Sequence, residues 1–295
     1  MIKKIEYRKP ALLVWLNEMR AGDGVWLMLR SDAHHDSLYC RRDLEEAHLK
    51  KALEKNALIL DGGDLFDAMQ GRFDPRRTYD DLRPEYKTDR YYNAIVEDAV
   101  SFYRPYANRW LLLARGNHET AAMRNAGIDL TSQLAYGMAD GSAKDKIHVP
   151  AGIVTGGISG WVIFYASTHG GGGRSSVKLS YHHGFGGNAP VTRGVIQTNR
   201  QAVYIPDADI VWNGHNHNEY VLRIKRERIS THGRVDYDLV TFIRTPGYKD
   251  EYALSDRMTW MHEKGTPPTP HGCAWVRLEM AGRRLTVTEV ISDVT

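Results

Sequence analysis

The stretch Ala57-Leu58-Ile59-Leu60-Asp61-Gly62-Gly63-Asp64-Leu65-Phe66-Asp67 decides the fold. A short apolar run halts abruptly at carboxylates and glycines, which reads as a buried strand ending at a site. In open α/β sheets ligands gather beyond the carboxyl ends of strands, so Asp64 stands where chemistry is usually done. The pattern recurs along the chain. Gly24 to Arg30 runs into Ser31-Asp32-Ala33-His34, Trp110 to Arg115 into Gly116-Asn117-His118-Glu119, and Ala208 to Asn213 into Gly214-His215-Asn216-His217. Each apolar segment delivers Asp, Asn or His to one edge.

The chain has 295 residues, 42% of them hydrophobic and 25% charged, which suits a globular protein with a sizeable core. The strand ends that carry donors span positions 32 to 217, so a domain boundary inside that interval would split the site. The expectation is one domain over residues 1–295, with an insertion at about 68–109 and β-hairpins over about 221–295. A net charge of +3 neither demands nor excludes an acidic partner. Cys40 and Cys273 stand far apart, without disulfide or zinc-finger spacing, which points to a reducing, cytoplasmic setting. The Lys3-Lys4 start followed by Ala11 to Leu16 lacks a long apolar run and a small-residue cleavage site, so it does not read as a signal peptide. No uncharged stretch approaches the ~18 residues of a membrane span, so no membrane partner is expected.

Helical spacing of Leu12, Trp15, Leu16 and Met19 predicts a first helix over about Ala11 to Arg20. Further helices are expected over Arg42 to Lys55, across Tyr92 to Tyr103 and over Asp129 to Met138. Strands are expected over Trp161 to Ser167 and Val177 to Tyr181. The span Arg72 to Arg90 mixes cations with acids and reads as solvated surface. His169 to Arg174 lacks the Gly-Lys-Ser/Thr of a nucleotide loop and reads as a turn. His35, Asp36 and His169 read as loop residues.

Asp32, His34, Asp64, Asn117, His215 and His217, with a histidine from the His182-His183 pair, form a set of carboxylate, imidazole and amide donors without a thiolate. Such ligands suit two divalent ions, Mn²⁺ first, with Fe or Zn²⁺ as alternatives. Two-metal sites clamp the attacking and the leaving oxygen in a displacement at phosphorus.

In their order, the blocks Asp32-x-His34, Gly63-Asp64-x-x-Asp67, Gly116-Asn117-His118-Glu119, a later histidine and Gly214-His215-x-His217 resemble the signature of the calcineurin-like metallophosphoesterases. The resemblance covers about residues 24 to 220. It implies an α/β fold of two facing mixed β-sheets flanked by helices. It further implies Asp32, His34 and His217 on one metal, and Asn117, His182 or His183, and His215 on the other, with Asp64 bridging. Because Gly-Phe-Gly-Gly replaces the usual His-x-Pro pattern, the resemblance does not decide between His182 and His183, and His182 is slightly favoured. The resemblance makes His118 a general acid supported by the Asp67 carboxylate, with a metal-bridged hydroxide as nucleophile. Asp67 also reads as an acid at the first turn of a helix.

Gly-Gly-Asp-Leu-Phe-Asp resembles the corresponding block of the DNA double-strand-break exonuclease subunit, which favours a phosphodiester substrate. Arg223, Lys225, Arg226 and Arg228 form the most basic stretch, a site for a nucleic-acid backbone or else a solvated hairpin. The alternatives are a phosphomonoesterase acting on nucleotides or phosphoproteins, and a binding scaffold without chemistry. The oligomeric state is left open.

Overall fold

The computed structural model describes residues 2–70, 74, 82–139, 152–170, 173–186, 192, 194–252 and 259–295. In chain order its elements are β1 (Ile2–Arg8), β2 (Ala11–Leu16), β3 (Gly24–Arg30), α1 (Arg42–Glu54), β4 (Leu58–Asp61), α2 (Tyr91–Tyr103), β5 (Trp110–Leu113), α3 (Asn117–Ala126) and α4 (Leu130–Ala139). They continue with β6 (Val154–Thr155), β7 (Ser159–Ser167), β8 (Arg174–His182), α5 (Val195–Tyr204), β9 (Ile210–Asn213), β10 (Tyr220–Ile229), β11 (Val235–Arg244), α6 (Trp260–Lys264), β12 (Gly272–Ala281) and β13 (Arg284–Val294).

The strands form two mixed sheets, one in the order β1-β2-β7-β8-β9-β11-β10 and the other in the order β13-β12-β3-β4-β5-β6. Strands β8, β9 and β11 run parallel in the first sheet, as do β3, β4, β5 and β6 in the second. Their carboxyl ends therefore line one edge of each sheet.

Period-two alternation of side chains builds three apolar layers from these strands. Leu12, Val14, Leu27, Leu29, Leu58, Leu60, Phe164, Leu179 and Trp212 meet in a cluster between the sheets. The alternate residues Met28 and Ile59 pack outward with Leu49 of α1, Ile95 of α2 and Leu134 of α4. Val211, Val240 and Phe242 cover the far face of the other sheet, beside Ala202 of α5. Strands buried on both faces read as continuous apolar runs, which is why β3, β4, β5 and β9 were plain in the sequence. The architecture is thus α/β, with two mixed sheets flanked by helices.

The helix expected over Ala11 to Arg20 is instead strand β2. Its residues pair with β1 on one side and β7 on the other, and Leu12, Val14 and Leu16 face the core. Sheet pairing overrides the helical spacing of four apolar residues. Strand β1, rich in Lys and Glu and placed at a sheet edge, was not anticipated, nor was α5. Most of Arg72 to Arg90 up to residue 81, and Gly171 and Gly172 of the glycine turn, lie outside the described residues. The hairpins β10–β11 and β12–β13 and the helices α1, α2 and α4 stand where the sequence placed them.

Candidate metal centre

Asp32 and His34 follow β3, Asp64 and Asp67 follow β4, and Asn117 and His118 open α3 just past β5. From the other sheet, His183 follows β8, and His215 and His217 follow β9. Two sheet edges thereby converge on one set of donors. Getting side chains to point back into that gap strains the backbone. Asp32 (φ 55°), His34 (46°), Asp64 (52°), His215 (75°) and His217 (51°) all adopt left-handed conformations that non-glycine residues avoid. Such strain persists only where the surroundings over-determine it, as they do at functional sites. Gly116 shows how close the approach is: a Cβ there would stand 2.0 Å from Asp64 Oδ1.

Two groups of ligand atoms result. In one, Asp32, His34 and His217 each place a ligand atom within 4.8 Å of the others; in the second, Asp64, His183 and His215 do the same. His217 Nε2 lies 3.6 Å from Asp32 Oδ1, and His183 Nε2 lies 3.0 Å from Asp64 Oδ2 and 3.1 Å from Asn117 Oδ1. Asp64 stands between the groups, since it also clusters with His34 and His118. Its Oδ1 accepts the His118 backbone N–H at 2.8 Å. His182 stays outside: its Nδ1 accepts the Gly184 N–H at 2.9 Å, and its ring meets Phe185. Of the adjacent pair, the structure brings His183 to the centre, contrary to the slight preference for His182. Strand alternation explains the choice, because Val177, Leu179 and Tyr181 face the inter-sheet core and His183 follows in phase.

The tautomers are set from behind. His34 Nδ1 donates to Asp67 Oδ1 at 2.7 Å and His183 Nδ1 donates to the Gly62 carbonyl at 3.0 Å, which leaves each Nε2 lone pair turned to the centre. This carboxylate or carbonyl support is the usual arrangement behind metal-binding histidines. Asp32 Oδ1 and His34 Nε2 are buried without a hydrogen-bond partner. An unsatisfied buried polar atom costs about 1–3 kcal/mol, so two side by side in a cluster of acceptors fit a cation. The donor set of oxygen and imidazole nitrogen suits divalent ions such as Mn²⁺ or Zn²⁺.

Charge couples the cluster tightly. Burial would raise Asp64, yet His183 and His118 hold it well below the usual carboxylate range. Burial likewise opposes a charged His183, but Asp64 lifts that imidazole to about 10. His217 is pushed down to about 3 by burial. A proton on His183 and a divalent ion compete for one lone pair.

Several neighbours escaped the sequence reading. Glu119 accepts the N–H groups of Gly116, Asp64 and Phe66 at 2.8, 3.0 and 2.9 Å, tying α3 to the Asp64 loop. Burial and then Asp64 lift its carboxyl to about 7. Asp36 and His35 lie in a turn, as read, and both are buried. Asp36 accepts the N–H groups of Asp67 at 2.6 Å and Ala68 at 3.0 Å, and the Tyr91 hydroxyl of α2 at 2.6 Å. The helix within the insertion thereby braces the Asp67 turn. Lys249 donates to Asp67 Oδ1 at 3.1 Å, a contact no local sequence signal announces. Among the described residues no helix begins at Asp67; its carboxylate binds His34 and Lys249, and its backbone carbonyl accepts from His118 Nδ1. The carbonyl contact to His118 Nδ1 thus stands beside the expected carboxylate support, since the charge of His118 also acts on the Asp67 carboxylate.

The basic stretch is split across the two faces of β10. Arg226 and Arg228 pair with Asp238 at 2.7 and 2.9 Å and also donate to the Pro206 carbonyl. Lys225 sits over the Tyr237 ring at 4.7 Å, and Arg223 is exposed.

No family model matches the chain, and no curated protein matches it. Solved structures similar to it include a conserved uncharacterized protein, described as a predicted phosphoesterase, from Streptococcus pneumoniae. It shows 10% identity and a TM-score of 0.32, over 93% of this chain and all of that one. A Thermotoga maritima protein solved by NMR gives 11% identity and a TM-score of 0.32, over 91% and 99% of the two chains. GAP50, the anchor in the inner membrane complex of Plasmodium, gives 11% and 0.42, over 87% and 81%. Likenesses at this level leave function to the residues themselves. Among the described residues no helix is long and apolar enough to cross a membrane.

Proposed function

We propose that the protein is a phosphoesterase dependent on two divalent metal ions, acting on phosphodiesters. The observation that carries this is the pair of adjoining donor groups with Asp64 between them, in which Asp32 Oδ1 and His34 Nε2 are buried without a hydrogen-bond partner. Asp32, His34 and His217 would hold one ion and His183, His215 and Asn117 the other, with Asp64 shared. When bound, such ions supply a nucleophile near neutral pH and stabilise charge on the transferred phosphoryl group.

The chain's own contribution to proton transfer is His118. Its Nδ1–H is held by the Asp67 carbonyl, and its Nε2 lies 3.8 Å from Asp64 Oδ2, at the rim of the centre. As an imidazolium it would give the Nε2 proton to the departing oxygen and become neutral, with Nδ1–H still held. Because Arg226 and Arg228 are engaged within the protein, the diester reading rests on the Gly62-Gly63-Asp64-Leu65-Phe66-Asp67 block and not on the basic hairpin.

Purified protein with Mn²⁺, assayed in parallel on bis-p-nitrophenyl phosphate, p-nitrophenyl phosphate, and single- and double-stranded DNA, tests this reading. Mn²⁺-dependent cleavage with the diester preferred is expected. A preference for the monoester would move the protein to the phosphomonoesterase class, and no metal-dependent turnover on any of them would contradict the proposal.

A further inference from the structure

Beside the metal centre lies a buried cation with no anion among the described residues. Arg244, the last residue of β11, pairs in register with Asn213 of β9, immediately before the Gly214 to His217 turn. Its neighbours in phase, Val240 and Phe242, face the layer beside α5. Arg244 is 2% exposed, and its Nε has no hydrogen-bond partner. Among the described residues no carboxylate pairs with it. Its contacts are neutral. The Tyr220 ring centroid lies 5.2 Å from its guanidinium carbon. With the Asn216 amide turned to satisfy both neighbours, Asn216 Oδ1 accepts from Arg244 Nη1 at 3.1 Å and its nitrogen donates to the Gly186 carbonyl at 2.9 Å. A Cβ on Gly194 would stand 2.2 Å from that same Nη1. Gly194 is the N-cap residue of α5, a ten-residue helix with no side-chain cap.

Two positive features therefore meet at one point. A buried ion without a counter-charge costs several kcal/mol, and a helix amino terminus adds a partial positive charge to it. A guanidinium at a helix amino terminus is a recurrent way to bind phosphate. We propose that Arg244 and the amino end of α5 form a subsite for a second phosphate group, so that the preferred substrate is a phosphodiester bearing a neighbouring phosphate. Asn216 links this subsite to the centre, since it lies between His215 and His217. The anion site itself needs no metal; its catalytic consequence rests on the phosphodiesterase reading.

The two parts are tested separately. In EDTA, calorimetric titration with inorganic phosphate is expected to show one saturable site, weakened at least tenfold in Arg244→Gln, largely retained in Arg244→Lys and weakened by added salt. Absence of saturable binding, or equal binding by Arg244→Gln, overturns the subsite. With Mn²⁺, the thymidine dinucleotide carrying a 5′-phosphate is expected to show kcat/KM at least tenfold above its unphosphorylated counterpart, and Arg244→Gln should bring that ratio close to one. A ratio that survives Arg244→Gln while both rates fall means that Arg244 only braces the Asn216 turn, and the proposal fails. If neither dinucleotide is cleaved while phosphate binding in EDTA still depends on Arg244, the subsite stands and the catalytic reading falls.

Discussion

The donors Asp32, His34, Asp64, His183, His215 and His217 can be set against a second buried group behind the same strands. There His35, Cys40 and Glu45 also place ligand atoms within 4.8 Å of one another. The second group comes with its own cation. Arg30, fully buried, lies 2.7 Å from Glu45 and 2.9 Å from Asp61, and Tyr103 donates to Glu45. Among the described residues the first group meets Lys249 at its rim, on Asp67, and it leaves Asp32 Oδ1 and His34 Nε2 without a hydrogen bond. Similar residue types therefore form an internal ion network where the chain supplies the positive charge, and a set of donors that could hold metal where it does not. A buried arginine among the acids, rather than composition, separates the two.

Four substitutions sharpen that contrast. The largest effect is expected for Asp64→Asn, which removes the shared donor; turnover of bis-p-nitrophenyl phosphate should be abolished and both ions loosened, as read by metal analysis. A fully active variant would break the account. Next, His118→Asn should slow turnover by about 10² to 10⁴ with metal content unchanged. The deficit should be smaller for p-nitrophenolate leaving groups, which need no proton, and loss of metal would mean that His118 is a ligand. Asp67→Asn weakens the support behind His34, so metal affinity should fall by about 10 to 100-fold in equilibrium dialysis.

Glu45→Gln probes the other side of the comparison. Breaking a buried ion pair costs about 3–5 kcal/mol, which chemical denaturation will show, while metal stoichiometry should not change. Lost metal in that variant would merge the two clusters. Their pH behaviour follows the same logic. Burial opposes ionisation of Glu45, but Arg30 holds it down at about 2, against an ordinary value of 4.5. That stability is present above about pH 4.5 and is lost as pH falls through about 2, a window that should disappear from the acid-unfolding profile of Glu45→Gln.

Much of the centre was legible because buried parallel strands are apolar throughout and stop sharply where polar donors begin. Asp32, His34, Asp64, Asn117, His215 and His217 all stand just past such stops. The choice of His183 over His182 was also within reach, through the alternation of Val177, Leu179 and Tyr181. Other features depend on contacts distant in sequence. Lys249 reaches Asp67 across 182 positions, and Asp36 joins the Asp67 turn to α2. No local pattern encodes either. Strand β2 was misread for the same reason, because its neighbours β1 and β7, and not its own spacing, decide its conformation. Arg244 was read only as the end of a hairpin strand. What marks it is that no carboxylate among the described residues pairs with it, which appears only once the chain is folded.

The central claim is that these donors hold two ions about one shared carboxylate, and counting the ions tests it most directly. Protein saturated with Mn²⁺ and freed of excess metal should contain two ions per chain by mass spectrometric elemental analysis. His217→Ala should retain one, and Asp64→Asn should retain neither tightly. One ion or none in the parent protein, or two ions undisturbed in Asp64→Asn, would contradict it.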